Sequence, residues 1–242
     1  MLLFMLLLPA TSYAVECSQA IDSISTVEKI RINCKLKSFE YQSNSISGEE
    51  AELVLLDKFT PYFQNFFYSF PKGFVRDNCE QFVLLKNLKY NGVNVGGLSN
   101  GTVIYIDIDN YSKEWMDRVY IRTLNHEFSS NIYKGLYYIN SIKWKRVSSE
   151  YYNNSQEYMK KCLNDPTFSF STSEEILRLG FLSYYSVTSD ENDFNVYAEK
   201  LFTKNAVLIR NKDVFPLIKE KLIIFKEIYK RAGFSGKFPD EK

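Results

Sequence analysis

Between Ser112 and Gly135 the apolar residues Ile121, Leu124, Phe128 and Ile132 recur at intervals of three and four, the period of a helix with one buried face. Ser112 offers the N-cap and Gly135 the stop. The only histidine of the chain, His126, lies inside this run with Glu127 beside it. Whatever else the chain does, its core must form against this helix, and its one imidazole is carried on it.

The surrounding pattern is mixed. A short strand is expected around Ile30–Leu36. Leu53, Leu56, Phe59, Phe63 and Phe67 then mark a helix that Pro61 should kink or divide, closed by Pro71-Lys72-Gly73. Two strands follow, Gln81–Leu85 and Thr102–Asp107, separated by a glycine-rich stretch in which Gly96-Gly97 and Asn100-Gly101 predict turns. Beyond the His126 helix, residues 142–170 are polar and aromatic and helical near 155–163, and Ser173–Leu179 is a short helix. Phe194, Tyr197, Ala198 and Leu201 form the stripe of another helix, and a long one runs from about Val214 to Arg231 with Leu217, Lys221, Ile224 and Ile228 on one face. Neither repeat nor linker interrupts residues 15–242, which read as one domain. The expected class is α+β, a small β-sheet packed against the His-Glu helix and further C-terminal helices.

The first fourteen residues, MLLFMLLLPATSYA, are apolar and end with Ser12 and Ala14 in the small-x-small arrangement that signal peptidase accepts. They are shorter than the about 20 apolar residues needed to span a bilayer, so a signal peptide over 1–14 and a mature start near Val15 or Glu16 are expected. Glu16 before Cys17 spoils a lipobox. Export without an anchor, to the periplasm or medium, and no integral membrane segment after cleavage, follow from this reading. Thirty basic against twenty-nine acidic residues give no charge excess to attract nucleic acid. Four cysteines, Cys17, Cys34, Cys79 and Cys162, lack the Cys-x-x-Cys spacing of zinc-thiolate clusters. In an exported chain they predict disulfides, with Cys17–Cys34 and Cys79–Cys162 as the preferred pairing.

The chemistry of His126 depends on its neighbours. Residues four apart share a helix face, which is why zinc peptidases place two histidines at that spacing with a general-base Glu after the first. Here His126 and Glu127 supply the first half, and Ser130 stands where the second histidine would be. No Gly-x-Ser-x-Gly elbow presents a serine nucleophile to His126. The glycine-rich stretch lacks the Lys-Ser/Thr ending of a phosphate loop.

Leu124-Asn125-His126-Glu127-Phe128-Ser129-Ser130 and Gly180-Phe181-Leu182-Ser183-Tyr184-Tyr185, continuing to Asp193-Phe194, resemble the two motifs of exported bacterial zinc-binding metallopeptidases of the gluzincin (zincin) type. The resemblance spans roughly residues 80–205, a domain's length. It implies a zincin-like catalytic domain with His126 as first metal ligand and Glu127 as general base. It makes Ser130 a lost ligand and puts the third ligand at Asn192, or at Glu191 after a shift of one residue, with Asp193 a further candidate. Without the resemblance, Glu191, Asp193 and Glu199 are acidic residues on a solvated helix, the first two favourably near its N-terminus.

These observations lead to one expectation and two rivals. The expectation is an exported zincin-fold protein with a degenerate zinc site, a pseudoenzyme that binds a peptide or protein rather than cutting it. One rival is an active metallohydrolase using His126, Glu191 or Asp193 and another carboxylate. The other is an envelope structural or interaction protein.

Overall fold

The computed structural model describes residues 17–34, 46–109, 111–148 and 155–241. The expected signal peptide, and the Ser12–Ala14 cleavage site, lie outside the described residues. The described chain is α+β. It begins with α1 (Gln19–Glu28) and β1 (Arg31–Asn33), then β2 (Ile46–Glu50), α2 (Leu53–Tyr68) and α3 (Phe74–Asn78). The strands β3 (Gln81–Tyr90), β4 (Val93–Asn94), β5 (Gly97–Ser99) and β6 (Val103–Asp107) precede α4 (Lys113–Gly135). Seven helices complete it: α5 (Tyr137–Ser148), α6 (Ser155–Asn164), α7 (Pro166–Phe170), α8 (Glu174–Arg178), α9 (Asp190–Phe202), α10 (Ala206–Asn211) and α11 (Pro216–Arg231). A 3-10 turn, Tyr184–Thr188, leads into α9.

The sheet runs β1-β3-β6-β5, with β1, β3 and β6 parallel and β5 antiparallel at one edge. β3 is its spine and also pairs with β2 and β4. The hairpin turn falls at Asn91-Gly92, both at positive φ, as a tight two-residue turn requires. Asn100-Gly101 makes the predicted turn into β6, with the Asn100 side chain accepting from the Thr102 and Val103 amides. Gly96-Gly97 makes a bend at Gly96 rather than a tight turn. Gly97 instead opens β5, because this strand runs so close to α4 that no side chain fits there.

Phenylalanines dominate the core. Phe63, Phe66 and Phe67 of α2 meet Phe82 of β3 edge to face, Phe59 packs on Phe63 and on Tyr120 of α4, and Phe128 of α4 closes on Phe66, Phe70 and Phe74. That burial, about 2 kcal/mol per large apolar side chain, explains why Pro61 does not divide α2. The lost backbone bond, about 3 kcal/mol, is outweighed by the phenylalanines on both sides of it. A second aromatic group, Trp144, Phe194, Tyr197, Phe225 and Tyr229, joins α5, α9 and α11. Among the described residues no helix is long and apolar enough to cross a membrane.

Cys17 and Cys34 are disulfide-bonded, tying the start of α1 to the end of β1. The Cys79–Cys162 pairing is not formed; both thiols are free and buried. Cys79 caps the α3–β3 corner, where its Sγ donates to the Gln81 carbonyl at 3.3 Å. Cys162 belongs to α6, which packs on α7 and the 184–188 turn rather than on α3. An even cysteine count carries no geometry, and a bridge needs the two Cα atoms within about 7 Å.

Candidate functional site

The Ser112 side chain caps α4 by accepting from the Trp115 amide, and Leu124, Phe128 and Ile132 seat the helix in the core. The opposite side is buried too, although it carries Asn125, Glu127, Ser129, Ser130 and Asn131. These polar residues are covered by β5 on one flank and by α9 on another. α9 is itself begun by the Ser189 side chain, which accepts from the Asn192 amide, and carries Asp190, Glu191 and Asp193 in its first turn, where the helix dipole favours negative charge.

α4 and α9 meet through three polar pairs. His126 Nδ1 lies 2.7 Å from Glu199 Oε1, Asn195 Nδ2 donates to Ser130 Oγ at 2.6 Å, and Lys134 Nζ lies 3.0 Å from Glu191 Oε1. Positions 126, 130 and 134 follow at intervals of four, as do 191, 195 and 199, so each helix offers one face. The faces pair in opposite directions, 126 with 199, 130 with 195, 134 with 191. The middle pair is buried, the His126–Glu199 pair nearly so, and the third is partly exposed.

Glu199 is held from two sides, since Arg122 Nε also reaches its Oε2 at 2.6 Å. The Arg122 guanidinium in turn lies over the Phe170 ring, 3.6 Å from its centre. Burial pushes the Glu199 carboxyl up, but Arg122 and the His126 hydrogen bond outweigh it and hold the group at about 2. A carboxylate only accepts, so His126 Nδ1 is the donor and Nε2 is the ring's other nitrogen. Burial pulls the imidazole down, yet the Glu199 bond and the Glu127 and Glu199 charges leave it above its ordinary value. The Tyr185 ring stands 5.7 Å from the imidazole, and burial raises its phenol.

Glu127 differs. It is 9 % exposed and makes no hydrogen bond or ion pair among the described residues, and its carboxylate oxygens are not among the fully buried atoms left without a partner. Burial pushes its carboxyl up to about 7. It packs against Gly97, where a β-carbon would come within 2.7 Å of both Glu127 Cγ and Thr123 Cγ2.

The other sequence-derived candidates point elsewhere. Glu191 binds Lys134. Asn192 Nδ2 donates to Thr188 Oγ1 at 2.8 Å. Asp193 is wholly buried and pairs with Lys221 of α11 at 2.7 Å. The residue of α9 that faces Ser130 is Asn195, which sequence reasoning did not single out. Its signal was the four-residue spacing 191-195-199, complementary to 126-130-134.

A tight zinc site takes three protein ligands. Around His126 the structure offers one imidazole, the Glu199 carboxylate already held by His126 Nδ1 and Arg122, the Glu127 carboxyl on the neighbouring position of α4, and a serine hydroxyl and an amide bonded to each other. Among the described residues no group of three or more His, Cys, Asp or Glu side chains is placed to hold a metal. These donors do not fit zinc. Asn195 Oδ1, buried and without a hydrogen-bond partner, is a neutral oxygen and does not change that.

Comparison with known proteins bears on this geometry. No curated protein matches the chain. A crystal structure described as that of "a putative zinc-binding metallo-peptidase from Bacteroides caccae ATCC 43185" superposes with a TM-score of 0.55 over 87% of this chain and 82% of that one. At 14% sequence identity this is a likeness of fold alone. Residues 71–208, from the approach to α3 into α10, match the model of a family described as "Putative zinc-binding metallo-peptidase". That match takes in more than half of the sequence, including α4 and α9 with all three of their polar pairs, and the chain belongs to this metallopeptidase family.

Proposed function

We propose that this protein is a zincin-fold member of the family, of the gluzincin arrangement, that has given up metal-dependent cleavage and holds a peptide or protein segment along the β5 edge beside Glu127. The observation that carries the reading is the side chain in the second ligand's place. Ser130 is a hydroxyl rather than an imidazole, and Asn195 already occupies it. The carboxylates that an unusual ligand set would recruit are engaged elsewhere, Glu191 with Lys134 and Asp193 with Lys221.

What remains suits binding. β5 lies at the sheet edge. With Gly96 O and Asn100 N bonded to β6, alternation along an antiparallel strand turns the Gly97 N–H and C=O outward. An extended segment added there would run beside Glu127, a carboxylate with no hydrogen-bond or ion-pair partner among the described residues. Export to the periplasm or medium is part of the proposal, supported by the apolar start and by the Cys17–Cys34 bridge, a bond of oxidising compartments.

Elemental analysis of protein purified from its native host, beside a peptide-library cleavage assay, tests this reading. It expects far less than one zinc per chain and no turnover. Stoichiometric zinc together with cleavage abolished by Glu127→Gln would replace it with a working metallopeptidase.

A further inference from the structure

We infer that the Ser130–Asn195 hydrogen bond takes the place of the family's metal as the tie between α4 and α9, so that the fold is complete without zinc. The inference rests on the metal-free reading above and adds a claim about Asn195. A metal held by α4 at positions 126 and 130 must draw its third ligand from whatever element faces those residues. That element is α9, and the faces meet at 199 and 195. Glu199 is already committed to His126 Nδ1 and to Arg122. Position 195 is therefore where the third ligand would stand, and it holds an amide.

Both lost donors are thus replaced together, by two neutral side chains of complementary size joined at 2.6 Å. The pair is buried, Ser130 at 2 % and Asn195 at 0 % exposure. A single change at either position would strand a polar atom inside the protein. The two flanking pairs, His126–Glu199 and Lys134–Glu191, set the register so that the middle one closes.

Thermal melting tests the tie directly. The natural protein should melt at the same temperature in chelator, in buffer and in excess zinc. Ser130→Ala should lower Tm by about 3–8 °C, since a buried amide loses its partner. Asn195→Ala should cost less, because its orphaned Oδ1 leaves with it, and the double alanine variant should melt no lower than Ser130→Ala. Ser130→His with Asn195→Glu should bind zinc, with Tm rising by about 10 °C at a thousandfold excess of zinc over Kd. Ser130→His with Asn192→Glu should not respond.

Alanine variants that each melt within about 1 °C of the natural protein would overturn the tie while leaving the metal-free reading intact. A zinc response from the Asn192→Glu pair but not from the Asn195→Glu pair would overturn the assignment of position 195. If the histidine variants do not fold, the alanine melts decide. A fall in the natural protein's Tm on chelation would overturn the metal-free reading, and the tie with it.

Discussion

Two glutamates flank the His126 imidazole, and the protein treats them in opposite ways. Glu199, on α9, is gripped by Arg122 and His126 and kept ionised down to about 2. Glu127, on α4, is largely buried but has no hydrogen-bond or ion-pair partner among the described residues, and burial lifts it to about 7. Stability explains the first, since a buried carboxylate is retained where charged groups and hydrogen bonds satisfy it. It does not explain the second, which the fold would gain by losing. A strongly perturbed carboxyl without a compensating hydrogen bond is the kind of group that functional sites collect. The difference separates a carboxylate that ties α9 to α4 from one on α4 that carries no such tie.

The comparison breaks most visibly at Glu199. Glu199→Ala strands Arg122 and His126 beside each other, and a buried pair broken on one side costs about 3–5 kcal/mol. Urea unfolding at pH 7 should show it, and a loss below about 1 kcal/mol would mean that the clasp is ornamental. The pH profile carries the same signature. The folded-state value lies below the ordinary 4.5, so this contribution is present above about pH 4.5 and lost as pH falls toward 2.

Glu127→Gln should do the reverse and stabilise by about 1–3 kcal/mol above pH 7. The folded value is raised from 4.5 to about 7. Ionisation as pH rises through that window therefore costs stability, and glutamine escapes the cost. The gain should vanish below about pH 4.5, which melting curves between pH 4 and 8 would reveal. A gain that is equal at all pH values would point to packing rather than charge.

Gly97→Ala probes the wall against which Glu127 rests. Its new β-carbon must displace both Glu127 Cγ and Thr123 Cγ2, at about 1–3 kcal/mol of overpacking. Combined with Glu127→Ala part of that cost should disappear, because one of the two crowded groups is gone while Thr123 Cγ2 remains. An undiminished cost in the double variant would move the clash to Thr123.

Much of this was legible in the sequence, and the remainder divides by physical cause. α4 was readable because Ile121, Leu124, Phe128 and Ile132 keep one period. The Asn100-Gly101 turn was readable because its chemistry is local. Gly97 looked like a turn residue, whereas its lack of a side chain answers a contact with α4, thirty positions away in the chain. α5 and α10 carry too weak a stripe to stand out. On α9 the conspicuous cluster was 191–193, yet Asp193 faces Lys221 and Asn192 faces Thr188. The residues that meet α4 are spaced by four, and they become visible only when both helices are read together in opposite directions.

The smallest effect lies at the outer pair of the three. Lys134 and Glu191 are each about one-third exposed, and solvent-screened pairs of this kind contribute roughly 0.2–1 kcal/mol. Glu191→Gln should therefore shift Tm by no more than about 3 °C, with most of the change removed by 0.5 M salt, which screens exposed charges and spares buried ones. The same salt should leave the effect of Ser130→Ala untouched, because that bond is neutral and buried. Glu191 was also a candidate metal ligand from the sequence, and the experiment addresses that role. A Tm loss from Glu191→Gln that is large, insensitive to salt and absent in chelator would make Glu191 a ligand. A small loss that salt erases leaves it as the solvent-facing end of the contact between α4 and α9.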